Sequence, residues 1–289
     1  MTAFAPDIQP HRDQVKLSIV TPSFNQAPFL DQAMRSVLDQ RGTDIEYIVM
    51  DGGSSDGSRE IIERHTSRLA HWQSERDDGQ YDAVTRGFNR STGEIMAWLN
   101  SDDMYAPGAF ATVEQVFKQF PEVQWLTTCA QIRWDAEGRI ARVLNVPGYS
   151  HDGFFAGEHL PSGANFSLGW IQQESTFWRR SLWEKAGAQI GAGFPLAGDF
   201  ELWARFFKHA ELYAVEVPLG GFRFHGDQKT GGDRADYMLE AERALAAHGG
   251  SRPGAFAQWK RRHRFSVRPA KIVRHNRHSA IWEIKKVNI

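Results

Sequence analysis

The chain has little cysteine and no long apolar run. Its 289 residues include one cysteine, Cys129, which excludes an internal disulfide and a cysteine-rich metal site and is typical of a reducing compartment. No stretch approaches the roughly 20 apolar residues needed to span a bilayer. Met1 to Gln14 also lacks the apolar segment of a signal peptide. We therefore expect a cytoplasmic protein.

The basic residues are unevenly distributed along the chain. The net charge is only -1, yet residues 252–289 contain eleven Lys and Arg and one acid, Glu283. Dense phosphates attract such a segment, so it is suited to an anionic membrane surface or to nucleic acid. A solvated terminal helix explains the same composition. We expect contact with a membrane surface rather than with nucleic acid, and the solvated helix stays open as the alternative.

Hydrophobic patterning predicts an α/β fold. Apolar runs at Val15 to Thr21 and Ile45 to Asp51 indicate buried strands, and helical spacing between them completes a βαβ unit with parallel strands. The alternation continues to residue 130, after which residues 135–138 (DAEG) predict a hairpin and a mixed sheet. With 41% hydrophobic residues, the chain can bury one large core.

Polar clusters follow three of the predicted strands, at residues 21–25 (TPSFN), 51–58 (DGGSSDGS) and 100–103 (NSDD). Ligands of open α/β sheets bind beyond the carboxyl ends of the strands, so these clusters are candidate binding residues. The adjacent carboxylates of Asp102 and Asp103 repel each other unless a cation lies between them. Hard oxygen ligands of this kind suit Mg²⁺ or Mn²⁺ shared with a diphosphate. Without its context, the bare pair is more typical of a helix N-cap or a turn than of a metal site.

The chain resembles the family 2 glycosyltransferases of the GT-A fold, which are mostly inverting. The resemblance covers residues 16–230 and is carried by SIVTPSFNQ (18–26), IVMDGGSSDGS (48–58), SERDDGQYDA (74–83), GEIMAWLNSDD (93–103) and GDFELWARF (198–206). It implies a Rossmann-like mixed sheet flanked by helices over residues 16–232. We expect a flexible tail at residues 1–15 before it and a basic helical extension at 233–289 after it, in which helical spacing predicts a helix from Arg234 to Ala247.

The resemblance also implies a nucleotide site. Asp51 is expected to hydrogen-bond the base, because a carboxylate can accept from a base N–H. The other implied nucleotide residues shape the nucleoside pocket or border the ribose and sugar; they are Thr21, Pro22, Ser23, Asn25, Asp77, Gly79 and Asp82. Thr85 departs from the asparagine usual in relatives and is expected to change the sugar contact.

The implied metal is Mn²⁺ or Mg²⁺. Asp102 matches the chief ligand of the family's DXD motif, but the first position of the motif is Asn100, so Asp103 or water is expected to assist. His225 is either a third metal ligand, a diphosphate contact or a structural histidine. Lys229 is expected to pair with the diphosphate as a point charge.

Asp199 matches the family's catalytic base, which deprotonates the acceptor hydroxyl. Its position alone, without the resemblance, favours a helix N-cap. Gln173 and Glu174 match a strip beside the donor sugar and acceptor, or else form an exposed polar turn. Trp170 and Trp178 flank this strip and are candidates for acceptor stacking. The irregular residues 145–170 are predicted to form an acceptor-side loop.

We therefore expect a metal-dependent inverting glycosyltransferase that uses a nucleoside-diphosphate sugar and a glycan or lipid-linked acceptor. A UDP-sugar is the first expected donor, and a GDP- or dTDP-sugar is the second. The acceptor is expected at the inner face of the plasma membrane, with residues 252–289 docked there. A noncatalytic sugar-nucleotide or glycan-binding module, or a membrane-surface module, is the alternative. The chain has no G-x-G-x-x-G after its first strand, which argues against a dehydrogenase.

Overall fold

The computed structural model describes residues 15–160, 169–226, 234–252, 254, 256, 259 and 268–289. The strands in these residues are β1 (Leu17–Ser23), β2 (Ile45–Asp51), β3 (His71–Ser74), β4 (Ile95–Trp98), β5 (Met104–Tyr105), β6 (Trp125–Thr128), β7 (Ala130–Trp134), β8 (Ile140–Asn145), β9 (Phe177–Arg179), β10 (Leu212–Val215), β11 (Gly220–Arg223), β12 (Pro269–Asn276) and β13 (Ile281–Asn288). They form a nine-stranded sheet of order β13-β12-β10-β6-β9-β4-β1-β2-β3 and a four-stranded sheet of order β5-β11-β7-β8.

The helices cover both faces of the large sheet. They are α1 (Ala27–Leu38), α2 (Ser58–His65), α3 (Gln80–Arg90), α4 (Ala109–Gln119), α5 (His151–Phe155), α6 (Arg180–Lys185), α7 (Gly198–Phe207) and α8 (Arg234–Ala247), with short 3₁₀ turns at Thr66–Arg68 and Gln173–Ser175. In α1 the buried residues lie three or four positions apart, so one face of the helix packs on the sheet. The βαβ prediction is confirmed, since β1 pairs in parallel with both β2 and β4.

Two hydrophobic cores lie on opposite faces of the large sheet. Ile19 and Val49 belong to one core and their neighbours Val20 and Ile48 to the other, as the period of two along a strand requires. β9 runs antiparallel between β4 and β6, and β7 and β8 form the predicted hairpin. The predicted mixed sheet is therefore confirmed.

The C-terminal segment departs from our prediction. Helix α8 begins and ends where helical spacing placed it, but residues 269–288 form two antiparallel strands instead of a helix. β12 continues the large sheet by pairing in parallel with β10, and it buries Ala270, Ile272 and Val273. The helical prediction followed the high charge of the segment and overlooked its alternation of apolar and basic residues, which suits a half-buried strand.

Candidate active site

A cavity of about 620 Å³ opens at the carboxyl ends of β1, β2 and β4. The polypeptide leaves each strand there, so the loops that carry the predicted clusters meet at one edge of the sheet. Five lining residues were neither in these clusters nor named from the glycosyltransferase resemblance: Gln26, Arg76, Gln80, Ala83 and Phe222. The other ten were, and they are Pro22, Ser23, Phe24, Gly52, Gly53, Asp77, Gly79, Asn100, Ser101 and Asp102.

Two features of this cavity are suited to a polar ligand. The Ser23 hydroxyl is buried and has no hydrogen-bond partner, so it is available to a ligand in the cavity. Gly52 lies so close to Asp77 that a Cβ at this position would be 2.9 Å from Asp77 Oδ2. A larger residue at this position would push the Asp77 carboxylate away from the loop after β2.

Asp51 does not line the cavity. It is buried, and its Oδ2 accepts hydrogen bonds from the backbone N–H of Gly53 (3.2 Å) and Ser54 (2.9 Å) and from the Ser74 hydroxyl (2.6 Å). The Ser54 hydroxyl donates to Oδ1. A carboxylate has about four acceptor sites, so this side chain holds its own loop. The direct contact with a base that we expected of Asp51 is not what this geometry favours.

Three other predicted nucleotide residues lie outside the cavity as well. Thr21 is buried and accepts a hydrogen bond from the Tyr47 hydroxyl at 2.9 Å. Asn25 Oδ1 accepts from the Ser55 N–H at 3.0 Å, which ties the loop after β1 to the loop after β2. Asp82 forms an ion pair with Arg86 at 2.6 Å and faces a second cavity. Thr21 and Asn25 therefore shape the wall of the first cavity from outside it.

Two of the predicted metal ligands converge. His225 Nε2 lies 3.1 Å from Asp102 Oδ2, although 123 residues separate them in the chain. The ring of His225 also packs on Phe29, with 4.1 Å between the ring centroids. A carboxylate and an imidazole at the rim of a cavity fit a divalent cation whose other ligands are diphosphate oxygens and water.

Asp103 does not join this pair. Its side chain is fully buried, and it accepts hydrogen bonds from the Arg223 N–H (2.8 Å) and the Asn100 side-chain amide (3.3 Å). Burial, followed by the neighbouring Asp102 carboxylate, raises the pKa of Asp103 well above its usual value. Among the described residues no three His, Cys, Asp or Glu side chains form a group that could hold a metal, so our expectation that Asp103 assists the metal is wrong for this arrangement.

Asp199 lies in the first turn of α7. The N-cap of this helix is Ala197, so the alternative that Asp199 caps the helix is wrong. The Tyr237 hydroxyl of α8 lies 3.0 Å from Asp199 Oδ1 and 3.2 Å from Oδ2, and it donates to the carboxylate. Burial raises the pKa of Asp199 to about 6, against the lowering effect of the Phe200 N–H and Tyr237. The carboxylate is thus mostly ionised at neutral pH and more basic than an ordinary aspartate.

Gln173 and Glu174 are buried in a 3₁₀ turn, so the alternative of an exposed polar turn is wrong. Gln173 Nε2 donates to the Trp98 carbonyl at 2.6 Å. Burial, with smaller contributions from the Asp199 and Asp102 carboxylates, raises the pKa of Glu174 to about 8. Glu174 is therefore close enough to both Asp102 and Asp199 to be affected by their charges.

The two candidate stacking tryptophans differ in exposure. Trp178 is fully buried, and its ring packs against Phe88 and other core aromatics, so the expectation that it stacks on an acceptor is wrong. Trp170 is half-buried, and the Arg133 guanidinium lies 5.2 Å from the centre of its ring. Lys229 lies outside the described residues, as do residues 161–168 of the predicted acceptor-side loop.

Residues 18–147 match the family model described as glycosyl transferase family 2. This part of the chain is therefore similar to family 2 glycosyltransferases. An uncharacterized glycosyltransferase of Nostoc sp. is 33% identical to the chain over 107 residues, which is 36% of this chain and 33% of the relative. A GalNAc(5)-diNAcBac-PP-undecaprenol beta-1,3-glucosyltransferase of Campylobacter jejuni is 29% identical over 104 residues, which is 35% and 34% of the two chains. The chain thus spans about a third of the length of these relatives.

Solved structures confirm the predicted GT-A fold. S. aureus TarS residues 1–349, solved with UDP-GlcNAc, aligns with a TM-score of 0.60 at 14% identity and covers 87% of this chain and 73% of its own. Glucosyl-3-phosphoglycerate synthase of Mycobacterium tuberculosis, solved with Mn²⁺, UDP and phosphoglyceric acid, aligns with a TM-score of 0.55 at 15% identity and covers 95% and 87%.

Sequence reasoning missed some residues of the first cavity. Arg76 brings a cation to the cavity. It lies inside a motif that carried the family resemblance, so its position beside Asp77 was the available signal. Phe222 had no comparable signal, because β11 belongs to the second sheet and reaches the cavity only through the tertiary fold.

Proposed function

We propose that this chain is a metal-dependent, inverting glycosyltransferase that transfers a sugar from a UDP-sugar to an acceptor hydroxyl. The observation that carries the proposal is the convergence of Asp102 and His225 beside a cavity formed by the ends of β1, β2 and β4. The UDP-GlcNAc in TarS and the Mn²⁺ and UDP in the mycobacterial synthase support the donor class and the metal.

Asp102 and His225 would hold Mn²⁺ or Mg²⁺, and a divalent cation bound there would neutralise charge on the departing diphosphate. The protein's own groups act on the rest of the donor. The Ser23 hydroxyl, the Gly52–Gly53 backbone and the Arg76 guanidinium line the same cavity. They supply hydrogen bonds and a positive charge to an anionic donor.

Asp199 is the proposed general base. The acceptor oxygen bonds to the anomeric carbon, its proton passes to an Asp199 oxygen, and the bond from that carbon to the diphosphate oxygen breaks with both electrons. Attack from the face opposite the diphosphate inverts the anomeric configuration. Tyr237 holds the carboxylate, and each carboxylate oxygen keeps a lone pair for the incoming proton.

Nucleotide-dependent thermal stabilisation tests the donor site and the metal together. UDP with Mn²⁺ is expected to raise the melting temperature of the protein more than GDP or dTDP does, and more than UDP alone. Asp102→Asn is expected to weaken UDP binding in Mn²⁺ by about 100-fold, because a charged ligand is lost. Asp44→Asn, an exposed carboxylate just before β2, is the matched control. Equal stabilisation of the wild type with and without Mn²⁺ would contradict metal dependence.

The acceptor is proposed to be a glycan or a lipid-linked glycan at the inner face of the plasma membrane. Among the described residues, no helix combines the length and apolarity that crossing a bilayer requires. The described part of residues 252–289 exposes the rings of Phe256 (67%) and Trp259 (48%) and the side chains of Lys285 and Lys286. Exposed aromatic rings and exposed lysines are the side chains that suit an anionic lipid surface.

Point substitutions test this contact better than truncation, because β12 is part of the sheet. Lys285→Glu with Lys286→Glu is expected to reduce sedimentation of the protein with phosphatidylserine vesicles. Sedimentation with neutral phosphatidylcholine vesicles serves as the reference. Equal sedimentation of the variant and the wild type with anionic vesicles would exclude a role for these lysines.

Turnover of the UDP-sugar distinguishes a transferase from the alternative, a noncatalytic binding module. Release of UDP from the stabilising UDP-sugar, measured with acceptor glycosides present, is expected for the transferase only. Binding of the UDP-sugar without any release of UDP, across donors and acceptors, would favour the module.

A further inference from the structure

A second cavity of about 560 Å³ lies beside the first. Gly79 and Gln80, at the start of α3, line both cavities and therefore lie between them. The opposite wall comes from residues 189–196 and from Tyr237 of α8. Ligands in the two cavities would meet at the start of α3.

Two tyrosines that line the second cavity form hydrogen bonds with Asp199. Tyr237 lines the cavity and donates its hydroxyl hydrogen bond to the Asp199 carboxylate. Tyr81 also lines the cavity, and its hydroxyl donates to the Leu196 carbonyl (2.9 Å) and accepts from the Asp199 N–H (3.4 Å). A molecule in the second cavity thus lies against the two side chains that surround the proposed base.

Helix α8 fixes this wall. Glu240 Oε2 accepts hydrogen bonds from the backbone N–H of Leu196 (2.8 Å) and Ala197 (3.0 Å), just before α7 begins. Tyr237 and Glu240 lie one turn apart on α8, so one helix positions both the base and the cavity wall. This helix lies beyond residues 18–147, the part that matches the family.

The chemistry of the lining favours an uncharged, hydroxyl-rich ligand. The residues described along this cavity include Asp78 and Asp82 but no lysine or arginine. Arg86 offsets the charge of Asp82 from outside the lining, at 2.6 Å, so the Asp78 carboxylate is the charge that would repel a phosphate or a carboxylate there. Thr85 Oγ1 is buried without a hydrogen-bond partner. Ile190 and Pro195 supply apolar surface, which suits the C–H face of a sugar ring, while the polar groups suit its hydroxyls.

We infer that the second cavity binds the acceptor through an uncharged sugar residue, whose hydroxyl reaches Asp199 past Tyr237. This inference rests on the proposed transferase function and adds the place and the chemical class of the second substrate. An acceptor whose terminal residue carries a phosphate or a uronic acid is excluded by it.

Blocking the cavity tests the inference. Ala192 is exposed and lines the mouth of the second cavity, so Ala192→Trp adds bulk there without disturbing the core. Ala136→Trp is the matched control, because Ala136 is exposed in the turn between β7 and β8. The probes are the methyl glycosides of glucose, galactose, mannose and N-acetylglucosamine, with methyl glucuronide as the anionic counterpart. Saturation-transfer NMR in the presence of UDP and Mn²⁺ measures their binding.

We expect at least one neutral glycoside to receive saturation from the wild type and from Ala136→Trp, with the signal reduced about tenfold in Ala192→Trp. The glucuronide is expected to receive none. An undiminished signal in Ala192→Trp, binding of the glucuronide alone, or no binding of any neutral glycoside would overturn the inference. UDP-induced thermal stabilisation is measured on the same samples. If UDP does not stabilise the wild type, the proposed function is contradicted. If UDP stabilises the wild type but the Ala192→Trp signal is undiminished, only the acceptor site is rejected.

Discussion

The two halves of the candidate site differ in how their side chains are positioned. In the half made by β1, β2 and β4, the cavity residues follow buried parallel strands directly, so the sheet itself brings them together. In the other half, Asp199 is held by Tyr237, 38 residues further along the chain. Strand ends position the donor side, whereas contacts between distant helices position the proposed base.

Glu174 shows the same dependence on distant contacts. Its backbone approaches β11 so closely that a Cβ on Gly220 would lie 2.1 Å from the Glu174 carbonyl oxygen. A residue larger than glycine at position 220 would therefore displace the 3₁₀ turn. The second half of the site thus depends on residues that no local motif connects to it.

Replacing the proposed base should give the largest effect, because it should abolish the function of one half of the site and leave nucleotide binding in the other half intact. Asp199→Asn keeps the size of the side chain and a hydrogen bond to Tyr237 but removes the group that accepts the proton. We expect kcat to fall by about 10³-fold, within the range for loss of a general base, while UDP still stabilises the protein. Release of UDP from the UDP-sugar, together with UDP-induced melting shifts, measures both effects.

Asp236→Asn is the matched control for this prediction, since it makes the same change at an exposed residue next to Tyr237. It should behave as wild type in both measurements. If Asp199→Asn retained wild-type kcat, another residue would have to be the base, and the assignment of the second half would fail.

The half of the site made by β1, β2 and β4 was predictable because the sequence patterns that indicate it are local. Apolar runs identified β1, β2 and β4, and polar residues directly after them, such as Ser23 and Asp102, do line the cavity. The orientation of individual side chains was not predictable in the same way. Asp51 and Asp103 follow their strands too, yet both face donors within the protein, because the direction of a side chain depends on the conformation of its loop.

The second half was predictable only through family resemblance. The resemblance indicated Asp199 and Glu174, but neither the burial of Glu174 nor the hydrogen bond from Tyr237 follows from their motifs. Tyr237 lies in a helix whose existence the spacing predicted correctly, with no sign that it reaches the site. The strands of residues 269–288 were missed because charge was given more weight than alternation.

The C-terminal hairpin provides a test of stability rather than chemistry. Trp282 is buried, and its Nε1–H donates to Gln115 Oε1 of α4 at 2.9 Å. Trp282→Ala should lower the free energy of unfolding by about 3 kcal/mol, as expected for loss of a large core side chain. Denaturant unfolding followed by far-UV circular dichroism measures the change.

Ile281→Ala is the control for the hairpin, because Ile281 is adjacent and 50% exposed. Its effect should stay within about 0.5 kcal/mol. Equal, small effects of the two substitutions would mean that the hairpin adds little to the stability of the sheet, and truncation would then become a usable test of membrane contact.

The smallest expected effect is a shift in the pH dependence of activity in Tyr237→Phe, which tests whether α8 influences the proposed base or only supports the fold. The pKa of Asp199 is about 6, and the carboxylate must be ionised to accept a proton, so activity should fall as the pH drops through 6. Tyr237→Phe removes a hydrogen bond that stabilises the ionised form, which raises the pKa of Asp199 and moves this fall to higher pH by about one unit. The loss of activity in Tyr237→Phe should be several-fold at pH 6 and should largely disappear at pH 8.

Tyr213→Phe is the control. It removes a hydroxyl that accepts from Lys271 on the far side of the sheet, so it loses a comparable hydrogen bond and should leave the pH profile of kcat/KM unchanged. An unshifted profile in Tyr237→Phe would show that α8 supports the fold of this half without influencing the base.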